Sequence, residues 1–152
     1  MDIAKRLQDL GLELPPVPKP QGSYIPAVRT GNLVFVAGQL PMRDGQLACK
    51  GKVGRDLDVA QAAEGARICF LNLLAALAYA VDPGKVTRVV RLGGFVQCVD
   101  GFAEQPKVIN GASDLCKEIF GEAGTHARAA VGVNALPLDA AVEIDAVFEV
   151  AD

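Results

Sequence analysis

Apolar residues recur with two different periods along this chain, and the points where the period changes divide it into elements. Ile3, Leu7 and Leu10 keep helical spacing and Gly11 can close that turn, after which Pro15, Pro16, Pro18 and Pro20 exclude regular structure. This predicts a short N-terminal helix and a Pro-rich arm over 1–21, then a single domain over 22–152. The runs 25–30 and 33–40 are apolar and β-branched, separated by Gly31-Asn32, a two-residue signal for a tight hairpin. Gly38-Gln39-Leu40-Pro41 ends the second strand. The stretch 42–57, rich in Gly, Lys, Arg and Asp, reads as a surface excursion with one short strand near 46–49.

Helical spacing returns at Val59, Ala63, Ala66, Phe70, Leu73, Leu77 and Ala80, with Asp58 as N-cap, Gln61 three residues on, and Asp82-Pro83-Gly84 as the stop. A β-branched run over 86–99 follows, with Gly93-Gly94 suggesting a bulge or bend. A second long helix is predicted over 104–120, with Pro106 in its first turn and Gly121 at its end. The order is α+β: a mixed sheet with two helices on one face, leaving the other face to water or to a partner. A homo-oligomer with ligand pockets between subunits is the expectation.

The C-terminal pattern carries the chemistry. The run 125–137 and the run 142–146 read as two strands of an apolar hairpin. Paired so that residue numbers sum to about 271, they would set Arg128 opposite Glu143 and put His126, Arg128, Ala130 and Gly132 on one face with Ala141, Glu143 and Asp145. Ala127, Ala129, Val131, Val133, Val142, Ile144, Ala146, Phe148 and Val150 would form the core face. A guanidinium fork beside Ala130 and Gly132 has room for a carboxylate ligand. A plain cross-strand ion pair explains the same residues, and both readings stand at this point.

Composition narrows the field. The chain has 152 residues, a formal charge of −3, 51% hydrophobic residues and 5% aromatic ones. That size fits one domain. An acidic balance without basic runs interleaved with aromatics argues against nucleic acid as a partner. Neither a signal-peptide core nor an 18-residue apolar span occurs, so a cytoplasmic protein with no membrane partner is expected. Cys49, Cys69, Cys98 and Cys116 lack Cys-x-x-Cys spacing, and His126 is the one histidine, so buried thiols and no metal site are expected.

Several of these residues together resemble a known family. Gly22-Ser23-Tyr24, Ala37-Gly38-Gln39-Leu40-Pro41, Asn110, Ala127-Arg128, Leu136-Pro137 and Val142-Glu143-Ile144 are similar to the pattern of the Rid family, the reactive intermediate deaminases, also called YjgF-like and in places endoribonuclease L-PSP proteins. The resemblance spans about Gly22 to Val150. It implies a chorismate-mutase-like fold, a homotrimer with clefts between subunits, and hydrolysis of 2-imino or enamine acids to 2-keto acids and ammonia without a cofactor. It implies Arg128 and Glu143 as catalytic residues, with Tyr24, Arg128, Ala130, Asn110 and Gly38 at the substrate. The partner would be a small imino or keto acid. Arg128 would grip the carboxylate and keep Glu143 ionised, and Glu143 would manage the attacking water or merely aim Arg128.

The chain departs from the pattern where deaminating members carry polar groups: Ala37 precedes the Gly-Gln, Ala129-Ala130 follow the arginine, and His126 replaces a common proline. His126 would then lie near Asp145 and within possible reach of ligand. Two classes of function stay open, a hydrolytic imine deaminase and a non-enzymatic binder or sensor of small carboxylates, with the deaminase ahead. A ribonuclease reading is disfavoured by the acidic balance and the lack of an aromatic or basic track.

Overall fold

The computed structural model describes residues 1–20 and 22–152; Gln21, the last residue of the expected arm, lies outside the described residues. Helix α1 (Ile3–Asp9) is capped by Asp2, whose carboxylate accepts the Lys5 N–H at 3.0 Å, and the chain turns out of it at Gly11, φ 70°. Ile3 and Leu7 are buried, and Leu10, Leu12 and Leu14 pack against the core, so this segment lies on the body of its own chain.

Strands β1 (Ala27–Thr30) and β2 (Leu33–Gln39) form the predicted hairpin, with Thr30 level with Leu33 across Gly31-Asn32. Two short strands, β3 (Met42–Arg43) and β4 (Gln46–Leu47), make a separate small ribbon. Helix α2 (Val59–Leu77) begins in a reciprocal cap: Asp58 Oδ1 accepts the Gln61 N–H at 2.8 Å and Gln61 Oε1 accepts the Asp58 N–H at 2.9 Å. Strand β5 (Val86–Gln97), helix α3 (Gln105–Phe120), strand β6 (Ala127–Val133) and strand β7 (Val142–Val150) complete the chain.

The main sheet runs β1-β2-β7-β5-β6, antiparallel except for the parallel pair β5–β6 at one edge. Parallel strands need a long crossover, and α3 supplies it. Helices α2 and α3 cover one face, burying Phe70, Leu73, Leu74 and Leu77 from α2, Ile109, Leu115 and Ile119 from α3, and Val34, Leu92, Ile144 and Phe148 from the sheet. The two helices touch at Gly111, where a Cβ would collide with the Ala63 carbonyl, and are clasped by Arg67 and Glu118 at 3.4 Å.

Three expectations are overturned. The C-terminal strands do not form a hairpin, because β5 lies between β6 and β7 and pairs with both. Their connection is not a two-residue turn at Ala135 and Leu136 but a longer loop with a 3₁₀ turn at Pro137–Asp139, where Leu138 and Asp139 take positive φ. Buried Gln97 pins that loop: its Oε1 accepts the Leu136 N–H at 2.7 Å, while its Nε2 donates to the Gly51 carbonyl and to Asp139 Oδ1. Gly93-Gly94 is also not a bulge. The irregularities of β5 fall between Val86 and Arg88 and between Val89 and Arg91, whereas Gly94 is small because Ile109 of α3 packs on its backbone.

The third correction concerns faces. Residues level across a ladder share a face. Leu92 is level with both Arg128 and Ala146, and both Leu92 and Ala146 are buried under the helices. Arg128 therefore projects on the helix side. Phe95 is level with both Val131 and Glu143, and Val131 is exposed, so Glu143 projects on the open side. Ala127, Ala129 and Val131, expected in the core, lie on that open face.

Candidate functional site

Asn110, Ser113, Asp114 and Lys117 fall on one stripe of α3 by i, i+3, i+4 and i+7 spacing, and β6 runs beside that stripe. Together with Thr125, His126 and Arg128 they line a pocket of about 250 Å³. Arg128 is held there from two sides: Nη1 donates to Ser113 Oγ at 3.0 Å and Nη2 to the Pro106 carbonyl at 3.2 Å. A guanidinium carries more N–H donors than these two bonds use, so the fork retains capacity for an anion. His126 Nδ1 lies 2.6 Å from the Gly124 carbonyl oxygen and Nε2 lies 2.9 Å from Ser113 Oγ. The expected neighbour of His126, Asp145, is across the sheet and pairs with Arg91 at 3.5 Å. Ala130 follows Arg128 on the same side, half-buried against the core.

The open face carries a second group. Glu143 stands beside Gly38, where a Cβ would overlap its carboxylate, so the glycine makes room for the acid. Burial pushes the Glu143 carboxyl above the ordinary range, and the negative charge of Asp145 adds to it. Arg128 does not keep it ionised, contrary to expectation, because the sheet separates them. The same face carries apolar side chains open to solvent: Val28, Leu33, Phe35 and Val131 are all at least 36% exposed, Phe35 at 48%. Tyr24 is 61% exposed ahead of β1.

The sequence over residues 4–150 matches the family described as "YjgF/chorismate_mutase-like, putative endoribonuclease". The chain belongs to the YjgF/chorismate mutase-like family. Protein TCP17 of Trypanosoma cruzi is 43% identical to it, over 97% of this chain and 93% of that one. A 2-iminobutanoate/2-iminopropanoate deaminase of Dermatophagoides farinae is 31% identical over 90% of this chain and 92% of its own. Among solved structures, Agrobacterium tumefaciens Atu1372, of unknown function, superposes with a TM-score of 0.89 at 48% identity, covering 97% of this chain and 91% of that one. A Shewanella oneidensis protein, described as a "putative endoribonuclease", gives 0.92 at 34% identity, covering 97% and 99%.

Within this YjgF-like chain the structure brings together Arg128, Asn110 and His126 in one pocket, and Glu143 with Gly38 on the other side of the sheet. Ser113, Asp114, Lys117 and Thr125 were not singled out from the sequence. The stripe spacing from Asn110 on a predicted helix was the signal that would have found the first three. The cysteines are all buried and free, and burial raises Cys49 to about 11 and Cys116 to about 12, which keeps both as thiols near neutral pH. Among the described residues no three His, Cys, Asp or Glu side chains converge as a metal site, and no helix is long and apolar enough to cross a membrane.

Proposed function

We propose that this protein is a hydrolytic deaminase of reactive 2-imino or enamine acids, working in clefts where the α3–β6 pocket of one copy meets the open sheet face of the next. The observation that carries this reading is the Arg128 fork, aimed by Ser113 and Pro106 into a small polar pocket with donors to spare. In that cleft Arg128 takes the substrate carboxylate, Asn110 borders it, and Glu143 with Gly38 of the neighbouring copy faces it from the open side. The exposed apolar side chains around Glu143 support such a neighbour, and a homotrimer closes the arrangement by symmetry. An imine carbon already reacts with water, so catalysis asks only for orientation and proton handling. The similarity to the mite deaminase supports the same chemistry.

The separation of Arg128 from Glu143 favours a second reading. A pocket that holds the carboxylate anchor but not Glu143 of the same chain also suits a binder or sensor of 2-keto acids. One assay separates them. Imino acids are generated in situ with an amino-acid oxidase or a serine dehydratase, and keto-acid release is followed with wild type and Arg128→Ala. Acceleration by wild type alone supports the deaminase; equal rates with and without protein, together with saturable 2-oxobutanoate binding, leave the binder.

A further inference from the structure

His126 links the Gly124 carbonyl to Ser113 through its two ring nitrogens. A carbonyl oxygen has no proton to give, so the 2.6 Å contact with Gly124 requires Nδ1 to be protonated, and Nε2 is the ring atom left to gain or lose one. Nε2 lies 2.9 Å from Ser113 Oγ, and that oxygen also accepts the Arg128 Nη1–H at 3.0 Å. With the ring protonated, Nε2–H and the Arg128 Nη1–H both donate to Oγ and occupy its two lone pairs, which leaves the Ser113 O–H free to donate to a ligand. Both side chains line the pocket in front of Arg128, Ser113 nearly buried and His126 half-buried. The charged groups lining it with them are Asp114 and Lys117 on α3 and Arg128 on β6.

We infer that Ser113 and His126 are a proton relay for the nitrogen of a ligand whose carboxylate Arg128 holds. The inference rests on the deaminase reading and adds the acid side of that reaction. When water has added to C2, the tetrahedral carbinolamine must lose ammonia. The C2–N bond breaks with its electron pair going to nitrogen, C2=O forms, and the carbinol O–H proton leaves to the carboxylate or water on the other side. Nitrogen needs one proton to depart as NH₃. Ser113 gives its hydroxyl proton to that nitrogen while taking the Nε2 proton of the imidazolium, and the imidazole is recharged from solvent. One proton is lost from oxygen and one gained by nitrogen, so the step balances without another reactant.

The test uses the full chain and three variants. His126→Asn keeps an N–H for the Gly124 carbonyl but has no atom at the Nε2 position. The relay requires kcat for in situ 2-iminopropanoate to fall about 10²-fold, 2-oxobutanoate affinity to stay within about twofold of wild type, and the rate to lose its fall on the alkaline side, since the proton-giving form is the protonated ring. Ser113→Ala lowers both kcat and affinity, since it also releases Arg128, and Ser113→Thr restores them. Unchanged kcat in His126→Asn, or a loss confined to affinity, overturns the relay while leaving the deaminase intact. A wild type that does not accelerate deamination overturns both. Circular dichroism and melting of each variant exclude misfolding as the cause.

Discussion

Arg128 and Glu143 stand on opposite faces of one sheet with strand β5 between their own strands. No rotamer brings the two to one small ligand within a chain. Any reaction that uses both must therefore be shared between copies, and complementation tests this. Arg128→Ala and Glu143→Gln are each expected to lose activity alone. Co-refolded in equal amounts, they should recover about a quarter of the wild-type rate, because random mixing in a cyclic trimer leaves about that share of interfaces with both residues native. No recovery from a mixture shown by mass to contain mixed oligomers would count against the shared cleft.

The open face should hold the copies together. Phe35→Asp places a charge at the centre of the apolar surface formed with Val28 and Leu33, without touching the buried side of β2. Sedimentation velocity is expected to show wild type as an oligomer and Phe35→Asp as monomer, with similar circular dichroism. A monomeric wild type removes the between-copy site.

Glu143 makes the fold's stability depend on pH in a definite direction. Its carboxyl titrates above the ordinary range because of burial and Asp145, so the folded chain binds that proton more tightly than the unfolded one. The contribution is present at acid pH and is lost as pH rises through the raised value. Glu143→Gln escapes that loss. It should melt above wild type at neutral pH, the difference shrinking as pH falls toward about 4. A difference that widens on acidification contradicts the assignment.

Gly111 sets the distance between α2 and α3. A methyl at Gly111 meets the Ala63 backbone carbonyl, which cannot rotate away like a side chain. Gly111→Ala should cost about 1–3 kcal/mol in urea unfolding despite alanine's better helix propensity. Since α3 also carries Ser113, the displaced helix should weaken 2-oxobutanoate binding in parallel. A gain in stability would show that the helices can separate freely.

What was legible in the sequence was whatever local chemistry decides. The Asp58–Gln61 cap, the Gly31-Asn32 turn, Pro106 in the first turn of α3 and the core stripe of β7 all follow from near neighbours. Arg128 and Asn110, which the structure brings to one pocket, stand out in the sequence from a motif. Partner strand was not: β6 and β7 are close in sequence and their spacing suits a hairpin, but α3 returns the chain beside β5 before β6 forms. That single non-local pairing turned over β6, sent its arginine under α3 and exposed Ala127 and Ala129. The same error hid Ser113, whose importance depends on which face Arg128 takes.

Strand β7 comes last in the chain yet lies in the middle of the sheet. Until it docks, β1–β2 and β5–β6 have no backbone bonds to each other, and the sheet exists as two separate ribbons. A chain emerging from the ribosome can collapse its helices early but cannot close its sheet until the segment ending at Val150 is free of the exit tunnel. Such late closure through distant contacts is intrinsically slow. A premature stop within the final strand would accordingly leave two unjoined half-sheets with their inner edges bare, a species for proteolysis rather than a shortened protein.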